Sequence, residues 1–231
     1  MVTKNDIVEL YNPSLFTDAT DIFSLRESQK DASVKGAVFV LPGAQFIVCT
    51  EGVWSSAKEL YTKKSAEFEF RKVCDGFVLC DFKGMHYMLW IELKSGFNEV
   101  FNKAIYQLSS CYVKAKSYLR NLSSYNANEY KELGIVVSLP EEKLLRTTSE
   151  NFSIINRRTK LIQEKTASEL CRRRYRKTGM ILLKGEDFGS SQMHLSDEIM
   201  LKELPVVSYT TTEEYPKIDL AKILDTIYKI E

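Results

Sequence analysis

The sequence is poor in the residues that stabilise small metal-binding or disulfide-bonded domains. Its 231 residues include only two histidines and five cysteines, and no two cysteines form a CxxC pair. This pattern argues against a zinc site, and the odd cysteine count argues against a disulfide framework. Three cysteines stand in apolar segments and are expected to be small buried hydrophobic residues in a reducing compartment: Cys49, Cys80 and Cys111.

Long apolar runs and an excess of charge of one sign are also missing. No stretch approaches the roughly 20 apolar residues of a membrane-spanning helix, and the N-terminal segment lacks a signal-peptide pattern. With 32 basic and 31 acidic residues the net charge is +1, so any nucleic-acid surface has to be local. There is no GxxxxGK[ST] phosphate-binding motif. These absences predict a soluble cytoplasmic protein with no membrane partner and no ATPase of its own.

The middle of the chain contains the clearest secondary-structure patterns. Two apolar, aromatic-rich runs flank Lys83-Gly84, a two-residue turn signal that predicts a β-hairpin. After them the apolar residues recur at spacings of three and four, which predicts an amphipathic helix. The predicted order is a helix over 57–64, strands over 66–73, 77–82 and 85–93, a helix over 97–122 and a strand over 134–139.

The flanking segments give weaker patterns. Residues 1–35 are polar and turn-rich, and Pro42-Gly43 divides 37–41 from 46–49 as in a hairpin or a pair of short strands. The C-terminal part predicts charged helices over 141–178, a strand over 180–183 and an amphipathic helix over 218–230. The whole predicts a single α/β domain with a core at about 37–140 and a helical, charged elaboration at about 141–231.

The predicted hairpin brings three charged residues together. If Lys83-Gly84 is the turn, the strand register places Asp75 directly opposite Glu92. Lys94 is two residues after Glu92, so both side chains leave the same face of their strand. Two carboxylates on a rigid sheet suit Mg²⁺ or Mn²⁺, and an ammonium beside them can stabilise negative charge in a transition state.

This arrangement resembles the signature of the PD-(D/E)XK nuclease superfamily, in which an aspartate is followed on the next strand by Glu-x-Lys. The element order from about 55 to 139 is also similar, which implies a restriction-endonuclease-like mixed sheet flanked by helices. The resemblance implies that Asp75 and Glu92 are metal ligands, that the Leu93 carbonyl is a third, and that Lys94 is the catalytic lysine. Cys74 stands where the family name has proline.

The resemblance implies two further site residues on helices. An acidic residue of the preceding helix often completes the metal site, and Glu59 is the first choice ahead of Glu51 and Glu67. In the RecB and Cas4-like branch, the helix after the lysine strand carries a glutamine with a tyrosine four positions later. Here Gln107 matches, whereas Tyr112 follows it by five positions, so a role is carried over to Gln107 alone.

Basic residues offer candidates for binding the nucleic-acid backbone. The densest cluster could contact phosphates through its cations and stack a base on its tyrosine, although such runs are as often solvated helix faces. The candidates are Lys103 and Lys114 on the long helix and the run Arg172, Arg173, Arg174, Tyr175, Arg176 and Lys177.

The expected function is therefore a divalent-metal-dependent endonuclease or exonuclease that hydrolyses phosphodiester bonds. By analogy with the superfamily, DNA is favoured over RNA, in an anti-phage defence or DNA-processing setting. The alternative is a catalytically inactive relative that binds nucleic acid or another protein. The sequence is compatible with a homodimer and with a complex in which the partner is an ATPase or a sensor protein.

Overall fold

The computed structural model describes residues 2–27, 32–50, 73–94, 101–139, 180–185 and 195–228, without the side chains of residues 50 and 101–103. In these ranges the α-helices are α1 (Lys4–Leu10), α2 (Phe101–Leu119) and α3 (Leu220–Tyr228). The strands are β1 (Phe16–Arg26), β2 (Gly36–Thr50), β3 (Gly76–Phe82), β4 (Met85–Lys94), β5 (Tyr130–Ser138), β6 (Met180–Lys184), β7 (Glu203–Thr210) and β8 (Lys217–Asp219).

The β3–β4 hairpin confirms the predicted turn and register. Phe82 pairs with Met85, and the antiparallel pairing continues to Gly76 opposite Ile91. Lys83 and Gly84 have φ angles of 51° and 72°, the left-handed conformation that a two-residue type I′ turn requires at both positions. Glycine adopts it without a steric penalty, so the sequence selects this loop.

The strands form one mixed, mostly antiparallel sheet in the order β1-β2-β3-β4-β5-β7-β6, with β8 beside β2. The parallel pairs are β4–β5, β5–β7 and β2–β8. Because β4, β5 and β7 run in the same direction, their carboxyl ends meet at one edge of the sheet. That edge contains Lys94, Ser138 and Thr210 in register.

Helices cover both faces of the sheet, which makes the described fold a layered α/β structure. Buried residues of α1 and α2 pack with alternate residues of β3 and β4, among them Phe77, Met88 and Trp90. The intervening strand residues, such as Tyr87 and Leu89, face the other way and pack with α3. Side chains alternate between the two faces along β4, so Glu92 and Lys94 lie on the same face as Met88 and Trp90, which is the α2 face of the sheet.

Two sequence expectations are wrong, and two strands were not predicted. Residues 1–35 are not merely turn-rich, because they contain α1 and the long strand β1. Pro42-Gly43 does not separate two strands, because β2 runs through it without a break. The strand β7 and the short strand β8 were not expected. By contrast, the long helix, the strand after it, the strand at 180–183 and the C-terminal helix are present, with bounds that differ by a few residues.

Some predicted elements lie outside the described residues: the helix over 57–64, nearly all of the strand over 66–73 and the charged segment over 141–178. None of the helices in the described ranges is both long and apolar enough to cross a membrane.

Candidate functional site

Asp75 occupies the bend that leads into β3, one residue before the first paired position of the hairpin. Its carboxylate oxygen Oδ2 accepts a hydrogen bond of 2.6 Å from the backbone N–H of Leu93. Leu93 itself points its side chain into the α3 face of the core, so its contribution to this contact comes from the backbone. The hydrogen bond ties Asp75 to the segment Glu92–Lys94.

Glu92 and Lys94 form an ion pair at the carboxyl end of β4. The Lys94 ammonium contacts Glu92 Oε1, and both side chains are nearly withdrawn from solvent, with 0 % of Glu92 and 7 % of Lys94 exposed. The second carboxylate oxygen, Glu92 Oε2, has no hydrogen-bond partner among the described residues. A buried carboxylate oxygen without a partner is energetically unfavourable, so this atom is positioned to accept a ligand.

The environment of Glu92 favours its protonated form in the absence of a ligand. Burial raises its pKa well above the ordinary value of 4.5, and the negative charge of Asp75 raises it further. The Lys94 ammonium lowers the pKa but does not compensate for both effects. Because the two carboxylates repel each other and Glu92 is fully buried, a bound cation would stabilise the charged form of Glu92.

The α2 helix fixes the backbone that precedes Asp75. Gln107 Nε2 donates a 2.7 Å hydrogen bond to the carbonyl oxygen of Val73, and the backbone N–H of Cys74 donates to Cys111 Sγ at 2.7 Å. Gln107 thus contacts the backbone two residues before Asp75. Its other amide atom, Oε1, has no hydrogen-bond partner within the described part of the chain.

The described site offers few protein ligands for a hard divalent cation such as Mg²⁺. In the described ranges no group of three or more His, Cys, Asp or Glu side chains is arranged to hold a metal ion. Mg²⁺, however, is commonly bound by one or two carboxylates together with water and substrate phosphate oxygens. Asp75 and Glu92 would supply those two carboxylates, and Glu92 Oε2 has no hydrogen-bond partner among the residues that the structure describes.

Several predicted site residues lie elsewhere or are not described. Glu59, with its alternatives Glu51 and Glu67, lies outside the described residues, as does the basic run Arg172–Lys177. Lys103 belongs to α2, but its side chain is not described. Lys114 is fully buried, so it is not part of an exposed phosphate-binding face.

Tyr112 belongs to a second polar cluster, away from the carboxylates. Its hydroxyl donates to Glu132 Oε2 at 2.9 Å, and the Lys116 ammonium contacts the other carboxylate oxygen. Tyr228 Oη donates to the backbone carbonyl of Glu132. Glu132 pairs with Met88, four positions before Glu92 on β4. This cluster therefore stabilises the packing of α2 on the sheet and does not contribute to the candidate site.

The structure adds residues that the sequence patterns did not single out. Cys111 was interpreted only as a buried hydrophobic residue, yet its sulfur accepts the Cys74 N–H. Ser138 ends β5 directly beside Lys94 and is fully buried. A polar residue at the end of an apolar run (GIVVS) is the one signal that could have identified Ser138, and it becomes meaningful only when the strand order is known.

Comparison with known proteins gives no relative. No protein-family model matches the chain, and no curated protein or solved structure shows a significant match.

Proposed function

We propose that the protein is a divalent-metal-dependent nuclease of the PD-(D/E)XK type with a restriction-endonuclease-like core. The observation that supports this proposal is the contact between Asp75 Oδ2 and the N–H of Leu93. It joins an aspartate at the start of one hairpin strand to a Glu-x-Lys segment at the end of the next. Around it, Glu92 and Lys94 are paired and Glu92 Oε2 has no partner among the described residues.

The residues divide into two roles in this proposal. Asp75 and Glu92 would hold Mg²⁺ or Mn²⁺, which when bound stabilises charge on the scissile phosphate and lowers the pKa of a water molecule. The ammonium of Lys94 stabilises the negative charge that develops as water attacks phosphorus, and it orients the attacking water. A rigid hairpin suits this task because its geometry needs no reorganisation during the reaction.

The test is cleavage of supercoiled, linear and single-stranded DNA and of RNA, with Mn²⁺ or Mg²⁺ and with EDTA. We expect metal-dependent cleavage that is abolished by Asp75→Ala, Glu92→Ala and Lys94→Ala. The matched control is Asp81→Ala, which removes a carboxylate at the turn end of the same strand and should leave cleavage unchanged. Robust cleavage by any of the three site variants would show that the assignment is wrong.

One observation favours a second candidate, a relative that binds nucleic acid without cutting it. The only described cation of the site, Lys94, is already paired with Glu92, and both are nearly buried. In this case calorimetry would detect no Mg²⁺ or Mn²⁺ binding, while DNA affinity would fall steeply with salt concentration. Metal binding that is lost in Glu92→Ala would favour the nuclease.

A further inference from the structure

Ser138 carries a buried hydroxyl group that the proposed chemistry does not yet use. Its side chain is fully buried, and within the described chain its Oγ has no hydrogen-bond partner. Native proteins contain few such groups, because a buried hydroxyl without a partner loses its hydrogen bonds to water and gains none in return. A serine in this position therefore calls for an explanation other than packing.

The register of the parallel strands places Ser138 next to the site. Ser138 on β5 pairs with Lys94 on β4 and with Thr210 on β7. Paired residues of adjacent strands point to the same face and lie about 5 Å apart, so the three side chains form a row along the carboxyl edge. Lys94 is nearly buried, with 7 % of it exposed, whereas Thr210 is exposed, so the row reaches the surface on the Thr210 side of Ser138.

The backbone holds Ser138 in this position from both sides. Its carbonyl oxygen accepts a 2.9 Å hydrogen bond from the N–H of Thr211, and the strand is internal to the sheet. On the same face, Ser208 of β7 is in register with Val136 and hence with Glu92. Its Oγ is likewise buried without a described partner. Two hydroxyl donors of this kind therefore lie on the face and at the edge where Glu92 and Lys94 stand.

We propose that the Ser138 hydroxyl donates a hydrogen bond to a non-bridging oxygen of the substrate phosphodiester while the phosphate lies against Lys94. This proposal rests on the proposed nuclease function and extends its site by one strand. A phosphate oxygen is a charged acceptor that a neutral hydroxyl binds well, and in a dry site such a bond is stronger than in water. Ser138 thereby becomes a substrate-binding residue.

The variant Ser138→Ala separates this role from a structural one. If the hydroxyl is kept for substrate, its removal leaves the melting temperature unchanged or higher, because no protein hydrogen bond is lost. At the same time kcat/KM for DNA should fall about ten- to hundredfold, the usual effect of losing a hydrogen bond to a charged group. The matched control is Ser109→Ala, since Ser109 is also fully buried but donates to the Ile105 carbonyl. It should lower the melting temperature and leave cleavage unchanged.

Substrates with sulfur in place of one non-bridging oxygen make the test specific. Sulfur is a weak acceptor, so the wild-type protein should cleave the phosphorothioate isomer facing Ser138 more slowly, and Ser138→Ala should abolish that difference. A Ser138→Ala protein with wild-type kcat/KM and unchanged phosphorothioate effects would overturn the proposal while the nuclease assignment stands. If the wild-type protein cleaves nothing, the nuclease assignment fails instead. Binding of a labelled oligonucleotide in Mg²⁺ then decides: about tenfold weaker binding by Ser138→Ala supports the contact, and equal binding overturns it.

Discussion

The carboxylate of Asp75 accepts a hydrogen bond from the backbone N–H of Leu93, and this contact joins the two strands of the hairpin at its open end. Only one oxygen of the Asp75 carboxylate accepts this hydrogen bond, so the side-chain amide of asparagine could accept it as well. Charge and structure can therefore be separated at this residue.

Asp75→Asn should keep the fold and lose the proposed activity. The asparagine carbonyl can still accept from Leu93, so the melting temperature should change little. The missing negative charge should weaken metal binding and slow cleavage by more than about 100-fold, since even outer partners of metal ligands contribute 10- to 100-fold. Cleavage at several Mn²⁺ concentrations measures this effect, with Asp81→Asn as the control. Unimpaired cleavage by Asp75→Asn would remove Asp75 from the metal site.

Glu92→Gln should change how stability depends on pH in metal-free protein. Burial raises the pKa of Glu92 in the folded state above its ordinary value of 4.5. Its stabilising contribution is therefore complete below about pH 4.5 and is lost as the pH rises through the raised pKa. Relative to Glu92→Gln, the wild-type protein should lose up to about 1.4 kcal/mol per pH unit in that window. Urea unfolding in EDTA at a series of pH values measures the difference, and parallel pH profiles would contradict the raised pKa.

Gln107→Leu should destabilise the protein by about 1–3 kcal/mol, because it leaves the Val73 carbonyl buried without its donor. The same variant should reduce cleavage, since the segment leading to Asp75 loses its hydrogen bond from Gln107. Asn121→Ala serves as the control, because the hydrogen bonds of the Asn121 amide to other described residues are exposed and their loss should stay within about 0.5 kcal/mol. Equal effects of the two variants on the free energy of unfolding would argue against a positioning role for Gln107.

Lys116→Met should be strongly destabilising. It leaves the Glu132 carboxylate, 17 % exposed, without its cation, and breaking such a pair by removing one partner costs about 3–5 kcal/mol. The double variant Lys116→Met/Glu132→Gln should recover part of this loss, because no uncompensated charge remains. Denaturant unfolding of both variants is the measurement. A double variant that is less stable than Lys116→Met would contradict this account.

Gly84→Ala tests the hairpin turn. A Cβ at Gly84 would meet no atom within 4 Å, so the only penalty is the φ angle of 72°, about 1–2 kcal/mol for an L-residue with a side chain. Gly84→Asn should lose less, because asparagine tolerates the left-handed conformation. The free energies of unfolding of the two variants should therefore differ in that order, and equal losses would point to a cause other than backbone conformation.

The local part of the site is predictable from sequence because a two-residue turn determines its register. Once Lys83-Gly84 is assigned as the turn, the positions of Asp75 and Glu92 follow from counting along antiparallel strands. The partner of Gln107 is not predictable in this way, because the contact with Val73 depends on how α2 lies across the sheet. The place of Ser138 beside Lys94 is not predictable from sequence either, because it depends on β5 lying next to β4 in the sheet.

The wrong expectations also have physical causes. Most of β1 is exposed on both faces, so it lacks the apolar alternation that identifies a half-buried strand. Pro42 interrupts no ladder on the β3 side, because β8 pairs only up to Val40 and β3 only from Gln45. On its other side the register shifts opposite Asp21, whose carboxylate accepts the N–H of Gly43 at 2.6 Å. Proline is tolerated in strands at such irregular positions.

The same two-residue turn has a consequence for the order of folding. Asp75 and Leu93 are 18 residues apart along the chain, so their contact forms by zipping of a hairpin and needs no long loop to close. Lys94 and Ser138 are joined by a parallel crossover through α2, and such non-local pairing is slow. We therefore expect the two carboxylates to meet early, and Ser138 to reach Lys94 only after the helix has packed on the sheet.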